Sequence, residues 1–179
     1  MVYVLLGTGF EETEAIAPID LMRRADIPVL TVGLNGKTVY GGHGIGVEAD
    51  ITIEELNLTD LEMIVLPGGL GGVASIRNCH LAMDAIAFAR DNNKYTAAIC
   101  AGPTVLADLG ITSEKTAVCY PGCEAGMGNA MVVDMAAVQD GKLITGASAG
   151  CAVKFGLALI EALKGPKAAN AIAQQIVIR

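Results

Sequence analysis

The most informative segment of the chain is Thr96-Ala97-Ala98-Ile99-Cys100-Ala101-Gly102-Pro103-Thr104. Its first half is a short apolar run, which is typical of a strand buried on both faces. Pro103 suits the first turn of a helix, where its missing N–H would have no partner. The segment from Thr104 to Leu109 continues the helix, and Gly110 indicates its end. The sequence therefore predicts a strand that stops at Cys100 and turns sharply into a helix.

This position predicts a reactive cysteine. Unpaired N–H groups and the helix dipole place partial positive charge beside the sulfur of Cys100, which favours an acidified thiol and hence a nucleophilic thiolate. A turn from strand to helix also exposes its side chain at the carboxyl edge of a parallel sheet, where open α/β folds hold their sites. The alternative is a small core cysteine, as most free cysteines are.

The rest of the chain predicts one α/β sandwich. Continuous apolar runs indicate buried strands, and apolar residues at helical spacing indicate helices between them. Pro18 predicts that the first helix begins near Glu14 or kinks, although Thr8 and Glu11 have the spacing of a capping box. The remaining predicted elements are strands at Val2–Leu6, Val29–Val32 and Met63–Leu66, a hairpin of Thr38–Tyr40 with Ile45–Val47, weaker strands near residues 117, 132, 138 and 143–145, and helices at Leu81–Arg90, Cys151–Leu163 and Ala168–Ala173. We expect a single domain over residues 1–179, with a mostly parallel sheet and helices on both faces.

Composition argues against several classes of function. The 179 residues carry a net charge of −7 without a Lys/Arg cluster, which disfavours a nucleic-acid or anionic membrane surface. The short apolar N-terminus lacks the basic region of a signal peptide, and no run has the length of a membrane span, so we expect a cytoplasmic protein.

The cysteines indicate free thiols. Their number is odd and their spacing irregular, which disfavours a disulfide framework: Cys79, Cys100, Cys119, Cys123 and Cys151. Cys119 and Cys123 would need two further zinc ligands, and the two histidines, His43 and His80, lie far away in sequence. We therefore expect no metal and no cofactor.

Two other loops should reach the same sheet edge as Cys100. The loop after the first strand leads to Glu11, Glu12 and Glu14, and the loop after Leu66 carries Gly68-Gly69. A cysteine nucleophile needs a proton donor or acceptor and N–H donors for a developing oxyanion. Glu12 and Glu14 diverge by about 200° on a helix, so only one of them can face the pocket. The alternatives are dipole complementarity for the glutamates and a plain turn for the glycines.

These segments resemble a known family in their order and spacing. The matching motifs are Gly9-Phe10-Glu11-Glu12-Thr13-Glu14, Asp20-Leu21-Met22-Arg23-Arg24-Ala25, Val65-Leu66-Pro67-Gly68-Gly69 and Ala98-Ile99-Cys100-Ala101-Gly102-Pro103. Together they resemble the ThiJ/PfpI superfamily, a class I glutamine amidotransferase-like domain, in the branch of the parkinsonism-associated protein deglycase. The resemblance covers essentially the whole chain, down to the closing helix.

The resemblance implies a flavodoxin-like homodimer with Cys100 on a nucleophile elbow. It implies that Glu14 hydrogen-bonds the cysteine and that Gly68, Gly69 and Ala101 line the oxyanion side through backbone N–H groups. The implied activities are glutathione-independent conversion of methylglyoxal to lactate and deglycation. The implied alternative is an oxidative-stress sensor or chaperone that works through oxidation of the same cysteine without turnover.

The chain departs from this family at three places. Ala101 stands where the protease branch has a histidine, which argues against peptidase chemistry. Tyr120 stands where relatives often have a histidine before the proline, so no Cys-His pair is expected and acid–base work is assigned to Glu14. Ala147-Ser148-Ala149-Gly150 replaces Arg-Gly-Pro-Gly, which predicts a less basic pocket rim. By analogy with relatives, Arg23-Arg24 and the helix before them are expected at a dimer face, the alternative being dipole complementarity.

Overall fold

A central parallel sheet organises the computed structural model, which describes residues 1–178. The predicted domain extends to Arg179, which lies outside the described residues. The strands are β1 (Val2–Leu6), β2 (Val29–Gly33), β3 (Thr38–Tyr40), β4 (Gly46–Glu48), β5 (Ile51–Thr52), β6 (Met63–Leu66), β7 (Tyr95–Ile99), β8 (Thr116–Ala117), β9 (Met131–Val132), β10 (Ala137–Asp140) and β11 (Leu143–Gly146). The helices are α1 (Glu12–Arg24), α2 (Leu70–Asn78), α3 (His80–Asp91), α4 (Pro103–Asp108), α5 (Ala152–Lys164) and α6 (Pro166–Gln175).

The order of strands in the main sheet is β10-β11-β7-β6-β1-β2-β5. All neighbours in it are parallel except β10, which pairs antiparallel with β11. The chain moves from β1 to β2 on one side and continues with β6 and β7 on the other. The carboxyl ends of β1, β6 and β7 therefore meet at a topological switch point, where α/β folds place ligand sites.

Each central strand supplies side chains to both faces, which confirms the predicted sandwich. Val2, Val4 and Leu6 join the apolar cluster under α1, α5 and α6. Tyr3 and Leu5 join the cluster on the other face, under α2, α3 and α4. Strands buried on both faces need apolar residues at every position, and that is why β1 reads as a continuous apolar run.

Helix α1 begins earlier than its proline predicted. It starts at Glu12 and continues through Pro18, so the predicted start near Glu14 is wrong. The N-cap is Glu11, whose Oε2 accepts from the N–H of Glu14 at 2.7 Å. Thr8, the predicted cap, instead donates its N–H and hydroxyl to Asn35. Capping and packing against α5 offset the donor that the proline removes.

Most other predicted elements are confirmed. The hairpin of β3 and β4 forms with Val39 opposite Val47, and α5 ends at Gly165. Helix α2 was not predicted, because its sequence begins Leu70-Gly71-Gly72 and glycines disfavour helices. Within residues 1–178, no helix is both long and apolar enough to cross a bilayer.

Candidate active site

Cys100 occupies a strained turn between β7 and α4. Its φ is 65°, in the left-handed region that residues with a side chain rarely adopt. Its N–H donates to Gly146 O at 2.9 Å, and its carbonyl accepts from the N–H of Tyr120 at 2.8 Å. These bonds from two neighbouring segments hold the turn. The thiol is half-buried at the carboxyl edge of the sheet. Strained residues held in this way occur preferentially at functional sites.

Glu14 is buried directly against this cysteine. The residue is only 1% exposed, and its Oε2 accepts a hydrogen bond from the N–H of Gly68 at 2.9 Å. The carboxyl group also lies beside the Cys100 thiol, because Glu14 Oε2 and Cys100 Sγ both border the Cβ position of Gly68. The loops after β1, β6 and β11 therefore meet at the cysteine. The structure brings together the two residues that the sequence assigned to acid–base and nucleophilic roles.

The pKa values of Glu14 and Cys100 are both raised. Burial, assisted by the charge of Glu11, raises the pKa of Glu14 to about 7. Burial and the adjacent Glu14 carboxylate raise the pKa of Cys100 to about 12. The prediction of an acidified thiol, which considered the helix terminus alone, is therefore wrong while Glu14 is ionised. Because each group shifts the pKa of the other, they titrate as one unit that retains a single proton between these values.

Two backbone donors favour the thiolate when that proton lies on Glu14. The N–H groups of Gly69 and Ala101 act to lower the pKa of the Cys100 thiol. With Glu14 neutral, its repulsion of the thiolate disappears and its O–H can donate to sulfur. The pair therefore has access to a form with a thiolate beside a carboxylic acid.

Gly68 has a different role from the one predicted. Its N–H donates to Glu14, so it is not free for an oxyanion. A Cβ at Gly68 would lie 2.4 Å from Glu14 Oε2 and 2.6 Å from Cys100 Cβ. Gly69, with φ of 83°, would place a Cβ 2.4 Å from Gly9 O. Both glycines allow the three loops to approach one another closely.

Comparisons with known proteins agree with this arrangement. The model of the DJ-1/PfpI family matches residues 1–162. The chain belongs to the DJ-1/PfpI family.

Three relatives show how closely the chain follows that family. The chain is 34% identical over 178 residues to Drosophila melanogaster DJ-1beta, covering 98% of this chain and 95% of that protein. The crystal structure of DJ-1beta superposes with a TM-score of 0.94 over 99% of this chain and 97% of that one. Oxidized Toxoplasma gondii DJ-1 gives a TM-score of 0.93 at 29% identity, covering 98% of this chain and 97% of that one. A glutathione-independent glyoxalase from Caenorhabditis elegans, DJR-1.2, is 27% identical over 170 residues, covering 94% of this chain and 90% of that protein.

Tyr120 reaches the site of this DJ-1/PfpI chain through its main chain. Its N–H donates to Cys100 O, while Tyr120 as a whole is 49% exposed. The histidines are bonded elsewhere: His43 Nδ1 lies 2.8 Å from Glu12 Oε2, and His80 Nδ1 lies 2.9 Å from Asp84 Oδ2. Both histidine rings thus contact carboxylate groups through Nδ1.

Glu12 anchors a loop beside the site, a role that the sequence did not reveal. Its Oε1 accepts from the N–H groups of His43 and Ile45 at 2.7 and 3.4 Å. Burial acts to raise the pKa of Glu12, but these bonds outweigh it and leave the pKa lowered. Side-chain oxygen or nitrogen atoms of Glu11, Glu12 and His43 lie within 4.8 Å of one another. Because the Glu12 carboxylate already accepts these hydrogen bonds, we infer that the cluster attaches residues 41–45 to α1. The only sequence signal was the divergence of Glu12 from Glu14 on the helix.

Proposed function

We propose that this protein is a glutathione-independent glyoxalase that converts methylglyoxal and related α-oxoaldehydes to 2-hydroxy acids. The observation that carries the proposal is the position of the buried Glu14 carboxyl group beside the half-buried Cys100 thiol, with both groups against Gly68. The name of the Caenorhabditis elegans relative supports the same chemistry.

The reaction begins with addition of the Cys100 thiolate to the aldehyde carbon. The new C–S bond gives a hemithioacetal, whose oxyanion takes a proton from Glu14. The N–H groups of Gly69 and Ala101 are the candidate donors to the developing charge, since both already act to lower the pKa of the Cys100 thiol. Gly68 contributes by holding Glu14 in place.

Proton transfer then completes an internal redox change without a cofactor. Glu14 as carboxylate removes the proton from the former aldehyde carbon, giving an enediol, and returns a proton to the neighbouring carbon. The first carbon is thereby oxidised to a thioester while the second is reduced to an alcohol. Water hydrolyses the thioester, releasing lactate and the Cys100 thiol, so the net change is addition of one water to methylglyoxal. A carboxyl group with a pKa near neutrality is suited to both donation and removal of protons.

A lactate assay on methylglyoxal without glutathione tests the proposal. Cys100→Ser should abolish lactate formation, and Glu14→Gln should slow it by about 10²–10⁴-fold, the usual contribution of general acid–base catalysis. Cys151→Ser and Glu62→Gln are matched controls that should retain the wild-type rate. Glu62 is exposed and directly precedes β6, at the opposite edge of the sheet from Cys100. Wild-type turnover by Cys100→Ser would refute the mechanism.

Deglycation of early adducts between α-oxoaldehydes and amines or thiols would use the same nucleophile. The same variants are assayed on a preformed adduct of methylglyoxal with a thiol. The assay must distinguish attack on the adduct itself from consumption of the free aldehyde that the adduct releases spontaneously. Deglycation is indicated when the protein releases the thiol faster than the adduct dissociates without protein.

A second candidate function is a redox sensor in which Cys100 is oxidised without turnover. The Glu14 carboxyl group and the N–H groups of Gly69 and Ala101 would hydrogen-bond the oxygens of a sulfinate. The oxidized Toxoplasma gondii relative shares this fold. After mild peroxide, a stable adduct of two oxygens confined to Cys100 in a protein with no lactate production would favour the sensor. For either function we propose action in a reducing compartment such as the cytoplasm, because all the described cysteines are free thiols.

A further inference from the structure

A tight turn brings two cysteines outside the active site to opposite ends of one short segment. Tyr120, Pro121, Gly122 and Cys123 form a β-turn closed by a bond from Cys123 N–H to Tyr120 O at 2.9 Å. Gly122 has φ of 98°, and a glycine there after a proline is typical of a type II turn. The N–H of Gly122 also donates to Glu124 Oε2 at 2.8 Å. Cys119 enters this turn and Cys123 closes it.

Both thiols face the same side of the segment. Cys119 is 4% exposed and belongs to the apolar cluster on the α2–α4 face of the sheet. Cys123 is half-buried and packs against that same cluster. Burial, with the nearby charges of Glu124 and Cys123, raises the pKa of Cys119 to about 11. The two side chains therefore pack against one apolar cluster from the two ends of a turn that a 2.9 Å hydrogen bond closes.

The turn is open to small oxidants. Cys123 is partly exposed, and Cys119, Pro121 and Glu124 line a surface cavity of about 420 Å³. Cys100, in contrast, packs against the apolar cluster on the other face of the sheet. The two redox-capable regions therefore differ in surroundings, although Tyr120 N–H donates to Cys100 O.

We propose that Cys119 and Cys123 form a second redox site, a dithiol that hydrogen peroxide converts to an intramolecular disulfide across the turn. The more exposed Cys123, as thiolate, attacks a peroxide oxygen, and cleavage of the O–O bond leaves a sulfenic acid and, after protonation, water. The sulfur of Cys119 then attacks the Cys123 sulfur, forming the S–S bond. The departing hydroxide takes the Cys119 proton as a second water. Two thiols are oxidised and one peroxide is reduced to two waters.

Tryptic peptide mass spectrometry tests the proposal on the full-length protein. Cleavage after Lys115 and Lys142 places Cys119 and Cys123 together in one peptide, whereas Cys79, Cys100 and Cys151 fall in three others. After peroxide treatment and alkylation, we expect the 116–142 peptide to carry no alkyl group. Its mass should be two hydrogens below that of the reduced, unalkylated peptide. Dithiothreitol should restore both alkylation sites. Oxidised methionines in the peptide add oxygen mass and do not mimic this loss.

Variants separate the disulfide from general oxidation. Cys123→Ser should abolish the lighter peptide, while Cys79→Ser and Cys100→Ser should retain it, because neither residue belongs to the pair. Full alkylation of both cysteines after a peroxide dose that oxidises Cys100 would overturn the proposal. Formation of sulfinates on both cysteines, or loss of the lighter peptide in Cys100→Ser, would also overturn it.

Discussion

At the scale of single residues, the site depends on one proton shared by Glu14 and Cys100. Burial raises the pKa of both groups, to about 7 for Glu14 and about 12 for Cys100. Below the lower value the pair carries two protons, and above it one. Only the form with one proton can place a thiolate beside a carboxylic acid, which the proposed addition step requires. Protonation of the pair is therefore the feature of the site most accessible to experiment.

The pH dependence of kcat/KM follows from this pair. We expect the rate constant for methylglyoxal to rise about tenfold per pH unit below about 7 and to level off above it, because the active form has lost one proton. Glu14→Gln should remove that inflection from any residual activity. A bell-shaped profile that declines above neutrality would contradict the assignment.

The stability of the protein should show the same titration. A raised pKa in the folded state means that Glu14 favours folding when protonated, and this contribution is lost as the pH rises through about 7. The Tm of the wild type should therefore fall relative to that of Glu14→Gln as the pH is raised through that range. A difference in Tm that does not change with pH would show that the pKa of Glu14 is not raised.

Gly68→Ala tests how closely the loops must approach. The added Cβ would meet Glu14 Oε2 at 2.4 Å and Cys100 Cβ at 2.6 Å, so the acid and the thiol must separate. Overpacking of this kind costs about 1–3 kcal/mol, and we expect lactate formation to fall with it. Gly150→Ala is the matched control for stability, since its nearest neighbour would be Ser148 Oγ at 3.9 Å. Unchanged activity in Gly68→Ala would contradict the geometry.

At the scale of elements, the N-terminus of α1 determines where Glu14 sits. Glu11 caps the helix through the N–H of Glu14, and its charge contributes to the raised pKa of the Glu14 carboxyl. Glu12 points to the other side and fastens residues 41–45. Three nearby glutamates thus have three separate tasks, set by their positions on one helical turn.

Two substitutions separate the cap from the charge. Glu11→Ala should cost about 1 kcal/mol of folding free energy through the lost cap. It should also move the inflection near 7 to lower pH, because a carboxylate close to Glu14 is removed. Glu11→Gln retains an oxygen acceptor and should shift the inflection with a smaller loss of Tm. Equal Tm losses in the two variants, measured by thermal unfolding, would show that the capping bond contributes nothing.

At the scale of the whole molecule, we propose that α1 forms the face of a homodimer, as the family resemblance implies. Ile16 is 43% exposed on α1, beside Arg23, which pairs with Asp50 at 2.6 Å. Arg24 pairs with Asp20 at 2.7 Å, so both arginines are held in defined positions at the end of the helix. An exposed apolar residue rimmed by ordered charges is typical of an interface.

Light scattering after size exclusion tests the dimer. We expect a mass about twice the 18.4 kDa of the chain. Ile16→Glu should reduce it to one chain, because a charge would be buried in the interface. Leu81→Glu is the control: Leu81 is 48% exposed on α3, on the opposite face of the sheet, and should leave the dimer intact. A monomeric wild type would refute the proposal.

The alternation of strands and helices and the turn at Cys100 could be predicted from the order of residues along the chain. Apolar runs, glycines and Pro103 act locally, so their consequences follow from neighbours along the chain. The same reasoning separated Glu12 from Glu14, because residues two apart on a helix face different directions.

The electrostatics of the site and the acceptor of each backbone N–H depend on how the loops pack together. The helix terminus predicted an acidified Cys100, but burial beside Glu14 outweighs it, and burial is a property of the assembled loops. Gly68 gives its N–H to Glu14 because β1 and β6 are neighbours in the sheet. Such terms depend on distances between segments far apart in sequence, which no local pattern contains.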